Sequence, residues 1–68
     1  MNPKSVFGAR VRALRAAKGW SQERLAAEAK LDRKYIGGIE RGVRTPSLLN
    51  IRRLAKTLNT PVRDLFPK

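Results

Sequence analysis

The chain contains no cysteine and no histidine. The first absence removes disulfides, thiolate metal sites and thiol redox chemistry. The second removes the commonest general base and the commonest zinc ligand. Acidic residues are scarce as well: five in 68 residues, namely Glu23, Glu28, Asp32, Glu40 and Asp64. They are scattered, and no acid–base pair or metal-ligand cluster takes shape among them, so an enzyme is not expected, nor a metal or a cofactor. No apolar run approaches the ~20 residues of a membrane span. A single lysine precedes Val6 and no signal-peptide core follows it, which makes the cytoplasm the expected compartment. Aromatics number four, too few for the stacking platforms of single-strand RNA readers.

What the chain has instead is positive charge. Sixteen Lys and Arg leave a net charge of +11. Self-repulsion at that level opposes compaction unless a polyanion is the natural partner. Nucleic acid and an anionic membrane are the candidates. A membrane-active helix needs one long amphipathic face, whereas this chain is broken repeatedly by helix caps. The expected organisation is a single domain, residues 1–68. A chain this short buries only about 60% of the surface it exposes when unfolded. Its net stability should be roughly 3–10 kcal/mol, with little room for an enclosed active site.

Three segments open with a capping residue followed by proline: Asn2-Pro3, Thr45-Pro46 and Thr60-Pro61. Asn and Thr accept from the orphan N–H groups of a first turn, and a proline there forfeits no hydrogen bond. Two more open without proline. Ser21 caps with Trp20 able to staple onto Leu25, and Asp32 caps with Leu31 able to staple onto Ile36. Gly19 and Gly42 suit left-handed stops. The punctuation predicts five helices, near residues 3–18, 22–29, 33–41, 46–58 and 61–66, in an all-α fold. Their apolar stripes are Phe7, Val11 and Leu14, then Leu25, Ala26 and Ala29, then Ile36 and Ile39, then Leu48, Ile51, Leu54, Ala55 and Leu58. The spacing is helical throughout. Trp20, Val62, Leu65 and Phe66 complete the expected core list, and Leu49 falls off the stripe.

The second and third helices are joined by only Lys30-Leu31-Asp32. Two short helices on so tight a turn cross steeply, as in a helix-turn-helix, here about residues 22–41. The third helix starts with Arg33 and Lys34 and continues through the bare pair Gly37-Gly38. Two cations at a helix start oppose the helix dipole. A solvated basic face explains them less well than a polyanion does. Arg52, Arg53, Lys56 and Arg63 read as an ordinary solvated basic face that adds general attraction to DNA.

These residues resemble a family. Leu14-Arg15, Gly19-Trp20-Ser21-Gln22-Glu23, Leu25-Ala26, Leu31-Asp32-Arg33, Tyr35-Ile36, Ile39-Glu40-Arg41-Gly42, Pro46-Ser47 and Leu54-Ala55 are similar to the phage repressor and Cro type (XRE) helix-turn-helix proteins, over about residues 5–66. The run from Leu31 to Gly42 looks most like restriction–modification controller proteins and related small regulators. The resemblance implies a compact, five-helix, lambda-repressor-like domain. It implies a transcriptional regulator that binds a double-stranded operator through the major groove as a homodimer; no sensor segment for a small-molecule effector is evident in the sequence. It puts base readout at Arg33, Lys34, Gly37 and Gly38, and phosphate contact at Ser21, Gln22, Tyr35, Arg41 and Arg44. Arg15 and Glu40 match a structural ion pair between the first and third helices.

Two departures stand out. Lys30 sits where many such units place glycine, at a cost of about 1 kcal/mol if left-handed. Gly37 and Gly38 each weaken the recognition helix by about 1 kcal/mol relative to alanine. The pair could admit the DNA backbone closely or be tolerated drift. With the chain ending at Lys68, the dimer contact is expected from the last two helices, at Val62, Leu65 and Phe66. The rival reading is an antitoxin-type interaction module with secondary DNA binding, for which the usual toxin-wrapping segment is not seen.

Overall fold

The computed structural model describes residues 2–66. Four α-helices run in order: α1 (Pro3–Ala17), α2 (Gln22–Ala29), α3 (Arg33–Glu40) and α4 (Leu48–Thr57). The fifth expected helix is a single 3-10 turn, Val62–Leu65. Four residues are too few to close an α-helical ladder, so the tighter i→i+3 turn is used instead. Thr60 does not cap it; its hydroxyl donates back to the Leu58 carbonyl at 3.0 Å. The start of α4 also moves. Ser47, not Thr45, caps that helix by accepting from the Asn50 N–H at 3.2 Å, and Thr45-Pro46 stays in the preceding loop.

The other caps follow their side-chain chemistry. Asn2 accepts from the Lys4 N–H at 2.8 Å and Ser21 from the Arg24 N–H at 3.0 Å. Asp32 holds the cap position of α3 with extended backbone, but its carboxylate makes no capping bond. Lys30 ends α2 at φ 58, in the left-handed region. Asn59 turns left-handed after α4 at φ 53, a conformation asparagine tolerates better than most residues.

The core is one cluster. Val11, Leu25, Ile36, Ile39, Leu54 and Leu65 are its largest fully enclosed side chains. Trp20, Leu31, Tyr35 and Ile51 pack around it. Leu65 was expected both in the core and at a dimer surface; it is sealed inside the protomer and has no surface for the second role. Leu48 was expected in the stripe of α4 and is 64% exposed. It lies in the first turn of a helix that starts two residues later than expected, so the inward stripe begins at Ile51.

One contact sets how α3 sits on α1. A Cβ at Gly8 would run into the carbonyl oxygen of Ile39 and approach that of Glu40 to 2.9 Å. Only glycine lets the C-terminal end of α3 lie directly on the α1 backbone. At the other end of the chain, Arg10 donates to the Asp64 carbonyl at 2.9 Å. Phe66 stacks on Phe7 at 4.9 Å between ring centroids, which ties the 3-10 turn to α1. No helix among the described residues is long and apolar enough to cross a membrane.

Candidate nucleic-acid interface

Asp32 ends the turn after α2, so Arg33 and Lys34 are the first residues of α3, and both are exposed. They open onto a shallow depression of about 370 Å³ lined by Gln22, Arg33, Lys34, Gly37, Gly38, Arg41, Val43 and Arg44. Three separate pieces of chain meet there: the start of α2, the outer face of α3 and the loop leading to α4. Four of the lining residues are cations and none is a carboxylate. The surface is therefore a one-sign field on a concave floor, which focuses attraction for a polyanion.

Glu40, at the C-terminal end of α3, does not line this depression. Its side chain is only 2% exposed. Arg15 grips it with both arms of the guanidinium, Nε to Oε2 at 2.7 Å and Nη2 to Oε1 at 3.0 Å. The remaining arm, Nη1, donates to the Trp20 carbonyl at 2.6 Å. The hydrogen bond to Glu40 raises the pKa of Arg15 further above its already high ordinary value, although burial opposes it. A planar fork on a carboxylate is the strong form of an ion pair. This one joins α1, the turn after it and the end of α3.

Gln22 is half-buried and belongs to the same network: its Nε2 donates to Glu40 Oε1 at 3.1 Å. An amide nitrogen carries two protons, so one donor remains beyond that bond. Ser21 lies beside it, its hydroxyl committed to the α2 cap. Tyr35 stands apart from the depression. It is half-buried against the core, and its hydroxyl accepts from Asn50 Nδ2 at 3.1 Å. Gly37 and Gly38 are buried. The space above Gly38 is filled by the stem of Arg44, and the nearest atom to Gly37 is a guanidinium nitrogen of Arg41. The bare patch on α3 is thus covered by two arginines of the same chain. Val43 lines the depression and is 64% exposed; sequence reasoning passed over it, since nothing marks a single valine in a loop.

Comparison with known proteins fits this geometry. The family pattern described as helix-turn-helix matches residues 11–65. The chain belongs to that helix-turn-helix family. Control protein C.BamHI of Bacillus amyloliquefaciens is 46% identical over 66 residues, covering 96% of this chain and 82% of its own. Control protein C.SmaI of Serratia marcescens is 40% identical over 68 residues, covering 100% and 81%. The crystal structure of the restriction–modification controller protein C.AhdI from Aeromonas hydrophila superposes with a TM-score of 0.90 at 54% identity, covering 93% of this chain and 96% of that one. The chain is a sequence-specific DNA-binding transcriptional regulator.

Proposed function

We propose that this regulator is a restriction–modification controller that acts in the cytoplasm, binding a two-fold operator as a homodimer. The observation that carries the DNA side of this reading is the cationic, carboxylate-free depression over the start of α3. A helix that enters the major groove does so by its N-terminal residues. Arg33 and Lys34 then face base edges, and the arginine fork matches the O6 and N7 acceptors of guanine. Val43 offers a methyl contact of the kind thymine accepts. Arg41, Arg44 and the free amide proton of Gln22 hold phosphates, with the start of α2 beside them. Tyr35 approaches the phosphate backbone at the edge of the depression: its ring packs on the core, and its hydroxyl accepts from Asn50 and keeps its own proton to donate to a phosphate.

The dimer reading rests on apolar surface. Leu48 and Leu49 are 64% and 60% exposed, and Phe66 is 48% exposed. Val62 is 37% exposed, and Leu65 has no surface to give. The contact therefore centres on α4 and Phe66, with a second copy of the chain as the occupant. Such a dimer places two recognition helices about 34–36 Å apart, one turn of DNA. Selection of bound sites from random duplex DNA tests both parts. A pseudo-palindrome with half-sites about 10 base pairs apart is expected. Selected sites without two-fold symmetry contradict the dimer, and no enrichment at all contradicts the DNA reading. No observation favours the toxin-binding alternative.

A further inference from the structure

Two glycines side by side in the middle of an eight-residue helix are poor helix formers and need a reason. Their surroundings differ. A Cβ on Gly37 would meet Nη1 of Arg41 at 3.2 Å, the free end of a flexible side chain that can move aside. A Cβ on Gly38 would meet Arg44 Cγ at 2.5 Å and Arg44 Cβ at 3.3 Å, the root of a side chain that cannot. The root is also fixed by the backbone. The carbonyl of Gly38 accepts from the Val43 N–H at 2.9 Å and from the Arg44 N–H at 3.2 Å. The loop cannot slide off Gly38 without giving up both bonds.

We propose that Gly38 is a positioning residue for DNA binding: its missing side chain is the seat that holds Arg44 against α3 and at the interface. The inference rests on the reading above that this face contacts DNA. Arg44 lies on a loop without regular structure, where a long side chain would otherwise lose much rotational freedom on binding. A stem already held in a seat loses less, and pre-organisation of that kind raises affinity. Gly38 touches no nucleic acid in this account. It acts through Arg44.

The experiment measures affinity for a selected duplex at several salt concentrations, with the melting temperature of each free protein. The variants are Gly38→Ala, Arg44→Ala and the Gly38→Ala/Arg44→Ala double. Arg44→Ala should weaken binding about tenfold and flatten the salt dependence by about one unit per protomer. Gly38→Ala should reproduce both changes. The double variant should bind no worse than Arg44→Ala alone. It also covers the case in which Gly38→Ala alone fails to fold, because the obstructing stem is gone. Wild-type affinity and salt slope in Gly38→Ala would overturn the proposal. So would a double variant weaker than Arg44→Ala by the full Gly38→Ala factor. A wild-type protein that ignores duplex DNA would overturn the underlying reading instead.

Discussion

The two ends of α3 do different work. The N-terminal end shows Arg33 and Lys34 to solvent, with no carboxylate to neutralise them in the depression they share. The C-terminal end carries Glu40, nearly sealed from water and held by a bidentate arginine, where α3 rests on Gly8 of α1. About two turns of helix separate unpaired charge from fully paired charge. The unpaired end costs the free protein repulsion and is set up for a polyanion. The paired end fixes the helix so that the first end points the right way. Gln22 touches both, lining the depression while donating to Glu40.

The largest effects should come from the paired end. Arg15→Ala leaves the Glu40 carboxylate enclosed with only the Gln22 amide for a partner. Removing one side of a buried pair costs about 3–5 kcal/mol, a large share of the total expected for a chain this size. Glu40→Ala should cost less, because the Arg15 side chain is 14% exposed and retains the Trp20 carbonyl. Thermal or urea unfolding checks the order of the two. Equal melting temperatures for wild type and Arg15→Ala would erase the contrast between the ends.

At the open end the loss should appear in binding and not in folding. Arg33→Ala should cost about 1–3 kcal/mol on the selected site and relax preference at one position per half-site. Its melting temperature should hold or rise slightly, since a cation leaves the positive end of a helix. A smaller and different effect is expected where the two ends meet. Gln22→Ala should weaken all duplex sequences by a similar factor, because a phosphate contact carries no base information. Affinities measured against single-base changes in each half-site separate the two behaviours. An even loss across sequences for Arg33→Ala would make it a phosphate contact.

The sequence made the helix-turn-helix legible because its signals are local. Ser21, Gly19, Gly42 and the short Lys30-Leu31-Asp32 turn act through their immediate neighbours, and α1, α2 and α3 begin and end within a residue of expectation. The misreadings came where two local signals competed or where packing decided. Thr45-Pro46 was expected to cap α4, and Ser47, two residues on, caps it instead. The periodicity around Val62 to Phe66 suited a helix, yet the segment was too short for one. Leu65 is in the core, as its place in the apolar list predicts, and so has no surface for a dimer contact, whereas Leu48 turns outward in the first turn of α4. Of the expected site residues, the cations Arg33, Lys34, Arg41 and Arg44 and the amide of Gln22 share one depression, while Tyr35 lies outside it. That Arg44 lies across Gly38, or that Gly8 admits α3, depends on contacts distant in sequence, and a lone glycine within a helical pattern was the only signal available.

The claim beneath all of this is that the open cations of α3 and its loop meet a duplex phosphate backbone. Binding of the unmodified protein to its selected duplex, measured from 50 to 200 mM salt, tests that directly. A dimer that neutralises about six to ten phosphates should lose roughly 10³–10⁵ in affinity over that range. Affinity that stays level across it, or a preference for single-stranded over duplex DNA of the same sequence, would contradict the account.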